Sequence, residues 1–165
     1  DVVQSLLARA VVIAAAAGET SVPAEKEQFI MQGAPPNMEL ILDIDLHYGD
    51  GTEAIFRAYR NVRVLNIQSS QPGEFLRETR SALGAVASAD IIGISAGFDQ
   101  YEHDWGGNLS TEDYRTIGHI AGAFARERAG GKIFGILEGG YYLPDLGKNL
   151  EALLGGICEG KSGVA

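Results

Sequence analysis

Asp43, Asp45 and His47 come directly after an apolar run, Met38-Glu39-Leu40-Ile41-Leu42. Read as a buried β-strand over residues 38–47, the run sends alternate side chains to opposite faces, so these three polar groups share one face. Two carboxylates and an imidazole are not packing residues, and burying them unpaired is costly. They call for a cation or a dense hydrogen-bond network. Asp99 ends a second apolar run, and Tyr141 follows Gly139-Gly140 at the end of a third. Asp45, His47 and Asp99 would make a two-carboxylate, one-imidazole site with positions left for water and substrate. Zinc accepts that set, and so do iron and cobalt, because oxygen-rich ligation does not select among them. Such a metal polarises a carbonyl and acidifies a bound water. The Tyr141 hydroxyl could donate to the developing oxyanion, and the glycines before it let the backbone pass close by. Taken alone, Asp50 reads as a helix cap, Asp99 as a turn or helix cap, and His103 and His119 as surface or packing histidines. Gly49-Asp50-Gly51 lacks the third glycine and the lysine of a phosphate-binding loop.

The elements that must position these groups alternate along the chain. A nearly all-apolar helix is expected over residues 2–17, stopped by Gly18. Residues 19–37, with three prolines, read as a loop holding a short element around 27–31. After the strand at 38–47, Asp50-Gly51-Thr52-Glu53 supplies turn and cap chemistry for a helix to about residue 59, with Ile55, Phe56 and Tyr59 facing inward. A strand at 62–67, a helix at 74–87 (Phe75, Leu76, Leu83, Val86) and a strand at 90–99 follow. Residues 100–109 form a polar loop with His103, Asp104 and Trp105. Ser110 opens a helix carrying Tyr114, Ile117, Ala121 and Phe124, closed by Gly130-Gly131. A strand and turn at 132–141 precede a helix begun by Pro144, with Leu146, Leu150, Leu153, Leu154 and Ile157 as its buried stripe. Strand-helix alternation with continuously apolar strands predicts an α/β fold, a parallel sheet with helices on both faces, in one domain over 1–165. Ligands of such sheets bind beyond the carboxyl ends of the strands.

Composition narrows the function. A net charge of −9 and a pI near 4.7 argue against a nucleic-acid partner. The apolar run after Arg9 is too short to span a membrane, and its likeness to a secretory signal is superficial, because Asp1 is acidic and no methionine precedes it. The single cysteine, Cys158, rules out an internal disulfide and a cysteine zinc cluster, and fits a reducing compartment; the expected location is the cytoplasm, or the nucleus in a eukaryote.

Three separated motifs, Asp43-Ile-Asp-Leu-His-Tyr-Gly-Asp-Gly-Thr, Ser95-Ala-Gly-Phe-Asp99 and Leu137-Glu-Gly-Gly-Tyr141, resemble in order and approximate spacing the histone deacetylase and acetylpolyamine amidohydrolase family. Gly106-Gly107-Asn108-Leu109-Ser110 and the C-terminal helix resemble it too, so the likeness runs from about Met38 to Ile157. It implies an arginase/deacetylase fold, incomplete on its N-terminal side, and hydrolysis of an acetyl-amide by zinc-activated water. Asp45, His47 and Asp99 fall on the metal ligands, and Tyr141 on the residue that polarises the acetyl carbonyl. Asp43 and Asp50 fall on acids that orient a catalytic histidine pair. Phe98, Gly139 and Gly140 are assigned to the substrate channel. Asp43, Asp45, His47, Asn66 and Ile67 fall near an alkali-cation site suited to K+.

The chain departs from the family twice. Tyr48 stands where a second histidine is usual, and no histidine precedes Asp43, where the family carries its catalytic pair. The expectation is a segment of a zinc-dependent deacetylase-like amidohydrolase acting on acetylated lysine, polyamine or a small acetyl-amide, with little or no activity in the isolated chain. The alternative is a truncated metal-binding pseudoenzyme that oligomerises through its apolar N-terminal helix. A third option, a related metallohydrolase acting on a guanidino substrate, would call for two metals and a further Asp/His cluster, which this sequence does not show.

Overall fold

A computed structural model describes residues 38–163. The helix expected over 2–17 and the loop over 19–37 lie outside the described residues. Four strands, β1 (Glu39–Asp43), β2 (Val62–Asn66), β3 (Ile91–Ala96) and β4 (Ile133–Leu137), alternate with four helices, α1 (Asp50–Phe56), α2 (Pro72–Gly84), α3 (Thr111–Arg128) and α4 (Leu143–Ser162). The strands form one parallel sheet in the order β2-β1-β3-β4. The central strands are the most completely apolar: Leu40, Leu42, Ile92 and Ile94 are buried and join Phe75, Leu83, Ile117, Ala121 and Phe124 in one core. The opposite row, Ile41, Val64 and Phe134, is half-buried, and Gly93 leaves room for the Phe134 ring to lie across β3.

Strand order dictates where a site can form. The chain moves from β1 out to β2, then reverses past β1 to β3 and on to β4. Parallel crossovers are right-handed, so α1 lies on one face of the sheet and α2 and α3 on the other. The segments leaving β1 and β3 therefore part to opposite faces, and the crevice between them is the topological switch point. Asp45 and His47 follow β1, and Asp99 follows β3.

Several expected elements differ in detail. Ser110 caps α3 through a reciprocal box with Asp113, and Tyr114, Ile117, Ala121 and Phe124 are buried as the helical period requires. In α1 the cap position is Gly49, with Asp50 the first helical residue and no side-chain cap bond. That helix ends at Phe56, three residues short of Tyr59, and buries none of its residues; Ile55 is 63% exposed because no described element packs over it. In α4 the buried positions are Asn149, Ala152, Leu153, Gly156 and Gly160, whereas Leu146, Leu150, Leu154 and Ile157 are only half-buried. The cause is backbone contact. A Cβ on Gly118 or Gly122 of α3 would strike the carbonyl oxygens of Leu153 or Ile157, and one on Gly156 or Gly160 of α4 would strike those of Arg115 or His119. The helices meet along glycines, closer than a leucine stripe permits.

Candidate metal centre

β1 ends at Asp43, so strand alternation does not carry the next two polar residues as the sequence reading supposed. A ladder of Asp side chains does it instead. Asp43 Oδ1 accepts the N–H of Asp45 at 3.0 Å, and Asp45 Oδ1 accepts the N–H of His47 at 2.8 Å. Each carboxylate folds the backbone two residues ahead, the local bond that short acidic side chains make in turns. Asp45, 8% exposed, and Asp99, fully buried, then face His47. His47 Nδ1 lies 3.1 Å from Asp45 Oδ1 and 3.2 Å from Asp99 Oδ2. One ligand atom from each of the three lies within 4.8 Å of the others.

The arrangement fits a cation. Asp99 Oδ1 accepts the N–H of Leu46 at 3.1 Å, but its buried Oδ2 has no hydrogen-bond donor. A tetrahedral ion with bonds of 2.0–2.1 Å separates its ligand atoms by about 3.3 Å, close to the 3.1 and 3.2 Å found here. Glycines line the cradle: a Cβ on Gly97 would strike Asp45, and one on Gly139 would strike Asp99 and Asp45. Gly139 N–H also points at Asp45 Oδ2, at 3.4 Å. Among the described residues these are the only three His, Cys, Asp or Glu side chains grouped to hold a metal.

Electrostatics says the same. Burial raises the Asp99 carboxyl above its ordinary range, opposed by the Leu46 N–H and reinforced by Asp45. Burial also raises Glu138, with Ser95 opposing and Asp45 and Asp99 adding to it. For Asp43 burial dominates, the Asp45 N–H opposes, and Glu138, Asp45 and Asp99 add, taking the carboxyl from 3.8 to about 6. The folded metal-free protein therefore holds the Asp43 proton at pH values where the unfolded chain has lost it. Its stability should fall as pH rises from about 4 through 6, by about 3 kcal/mol from this group alone. Urea melts with chelator present, at pH 4.5 and pH 7.5, should show about 2 kcal/mol of that loss in the native sequence and a flatter profile in Asp43→Asn; equal slopes would refute this source.

Other expected site residues are placed less uniformly. Tyr141 is 54% exposed and stacks on Trp105, with ring centres 4.4 Å apart, and Trp105 meets the His47 ring edge-on at 6.2 Å. Asp50 is exposed on α1. Phe98 is 2% exposed and packs on Tyr114 at 4.9 Å, so it lies beneath the site and does not line an open channel; Gly140 crosses directly over it with φ 141°. Asn66 accepts the Gly49 N–H and donates to Glu53, while Ile67 N–H pairs with the Asp43 carbonyl. These bonds bring Asn66 and Ile67 beside Asp43. His103 stacks on Tyr142, and His119 sits half-buried on α3. Residues 100–109 are more than a polar loop, because Gln100, Tyr101, Asn108 and Leu109 are buried and Gly106 N–H returns to the Asp99 carbonyl at 2.7 Å. Trp105 was not singled out from sequence, although it is the chain's one tryptophan and stands six residues after Asp99.

A parallel sheet holding an Asp-His-Asp group at its switch point, beside a Gly-Gly-Tyr turn, defines a partial arginase/deacetylase fold. Known proteins agree. Histone deacetylase 15 of Arabidopsis thaliana is 24% identical over 164 aligned residues, which take in 76% of this chain and 29% of that protein. Acetylpolyamine amidohydrolase of Mycoplana ramosa is 26% identical over 156 residues, 72% of this chain and 44% of that protein. Among solved structures, acetylpolyamine aminohydrolase from Burkholderia pseudomallei superposes with a TM-score of 0.67 at 22% identity, covering 75% of this chain and 46% of that one. The HDA15 HD domain superposes with a TM-score of 0.64, also at 22% identity, covering 75% and 45%. No protein-family model matches. The chain thus resembles the histone deacetylase and acetylpolyamine amidohydrolase family in sequence and shares its fold. It spans less than half the length of each of these relatives. Among the described residues, no helix is long and apolar enough to cross a membrane.

Proposed function

We propose that this chain is the metal-holding segment of a deacetylase-like amide hydrolase, with Asp45, His47 and Asp99 as ligands of a zinc ion; iron or cobalt would fit the same donors. The carrying observation is that these three side chains converge at the switch point with one buried carboxylate oxygen left without a donor. The substrate class is an acetyl-amide on lysine, a polyamine or a small amine, in keeping with the named relatives. When bound, the metal supplies Lewis-acid polarisation of the amide carbonyl and an acidified water. Asp45 holds the backbone of His47 through its N–H, and buried Asp99 is held by the Leu46 N–H, so both carboxylates are oriented beside the imidazole before an ion arrives. Tyr141 donates its hydroxyl proton in a hydrogen bond to the carbonyl oxygen as negative charge develops there.

The general base is not evident in this chain. Its three histidines are His47 among the ligands, His103 stacked on Tyr142 and His119 on α3. This favours a second reading, a metal-binding module without turnover of its own. One experiment serves both. The purified chain, loaded with zinc, iron or cobalt and offered acetyl-lysine peptides and acetylpolyamines, should bind one metal and hydrolyse little or nothing. Absence of metal binding overturns the hydrolase-segment reading; turnover abolished by Tyr141→Phe overturns the inactive-chain reading.

A further inference from the structure

Three consecutive residues of the segment after β3 grip two consecutive residues of the segment after β4. The Asp104 carboxylate accepts the backbone N–H groups of Tyr141 and Tyr142 on Oδ2, at 2.6 and 2.7 Å, and that of Trp105 on Oδ1 at 2.7 Å. On one side of it the Trp105 indole stacks on Tyr141, 4.4 Å between centres and 21° between planes. On the other the His103 ring stacks on Tyr142 at 5.6 Å and 29°, backed by buried Tyr101 at 5.2 Å. A carboxylate taking two adjacent N–H groups makes strong charge-assisted bonds and fixes the local backbone, and paired rings add specific offset packing. The same segment is tied to the ligand Asp99 through Gly106 N–H, and its indole meets His47.

We propose that His103, Asp104 and Trp105 form a clasp whose role is to position Tyr141 beside the Asp45-His47-Asp99 group, with Trp105 as the contact between them. None of the three need touch the reacting atoms; they are positioning residues. Their purpose rests on the hydrolase reading of Tyr141, but the clasp is testable apart from it. Tyr141 is more than half exposed and the Gly139-Gly140 turn before it is conformationally permissive, so without the clasp little holds the ring.

Trp105 is the only tryptophan, so the 15N-labelled chain gives a single indole N–H resonance. In metal-free protein, Tyr141→Leu should shift this resonance by removing the stacked ring, and Tyr141→Phe should leave it in place. Asp104→Ala should shift it as Tyr141→Leu does, and Asp104→Asn, which keeps one of the two acceptor oxygens, should shift it less than Asp104→Ala. One equivalent of zinc should move it in the native sequence, and the response should vanish in Asp99→Asn. An indole signal indifferent to Tyr141→Leu and Asp104→Ala, with helical circular dichroism intact, overturns the clasp even if zinc shifts it. Sensitivity to both substitutions without any zinc response supports the clasp and overturns the metal reading instead. If Asp104→Ala fails to fold, the Tyr141→Leu and Tyr141→Phe pair decides alone, since that side chain is exposed.

Discussion

Gly156→Ala is expected to destabilise the chain by about 3 kcal/mol, while Gly147→Ala, earlier in the same helix, is expected to stabilise it by about 0.8 kcal/mol. A methyl at 156 points into the carbonyl oxygen of Arg115, which is backbone and cannot rotate aside. Helices α3 and α4 would have to separate, and Gly118, Gly122 and Gly160 would lose their close approach along with it. At 147 nothing lies within 4 Å of the added carbon, so the substitution only trims the freedom of the unfolded chain and improves helix propensity. Folding free energies of about 5–15 kcal/mol make the first change a large fraction of the whole. Urea-induced unfolding of the two variants against the native sequence measures both; changes of equal sign would show that the glycines are not the contact surface.

Asp99→Asn is expected to move stability in opposite directions with and without metal. Asp99 is fully buried, its carboxyl is raised by that burial, and one oxygen has no hydrogen-bond donor. Asparagine keeps the shape and an oxygen for the Leu46 N–H while removing a desolvated charge, so the metal-free variant should be more stable than the native chain at neutral pH. Zinc at about a hundred times its dissociation constant should stabilise the native chain by about 2.7 kcal/mol, and the variant, lacking an anionic ligand, hardly at all. Thermal unfolding in chelator and in zinc tests both halves. A variant less stable in chelator and still responsive to zinc would remove Asp99 from the ligand set. The trade is familiar at working sites, where buried charge is retained at the expense of stability.

Much of this was legible because local chemistry and tertiary structure agree. The runs around Leu40 and Ile92 are apolar in succession because one side of these central strands is fully buried and the other at least half-buried, and helix α3 announces itself through Ser110, Asp113 and a regular apolar period. The ligand group was legible for a partly mistaken reason. Alternation along a strand put Asp43, Asp45 and His47 on one side, whereas side-chain bonds to the backbone bring the last two into place after the strand has ended. The clasp was not legible, since Asp104 and Tyr141 are distant in sequence and a short polar stretch with one tryptophan has no periodicity to read. Nor was the α3–α4 seam, because a search for leucine stripes passes over glycine. A signal did exist: Gly118 with Gly122, and Gly156 with Gly160, each repeat at the spacing that returns a helix to the same face.

The position of β4 at the end of the sheet has a practical side. Its sequence, Ile-Phe-Gly-Ile-Leu, carries no charge, proline or bulge, and among the described residues no strand pairs with its outer side. The other border strand, β2, holds Arg63 outward as a deterrent to foreign strands. An undefended row of main-chain donors and acceptors flanked by half-buried apolar side chains is a template for further strands. In a longer polypeptide such a margin is a natural seam for extending the sheet; in a preparation of this chain alone it is where molecules would stick to one another, and Leu137→Lys, at the exposed end of the strand, would be the first remedy to try for poor solubility.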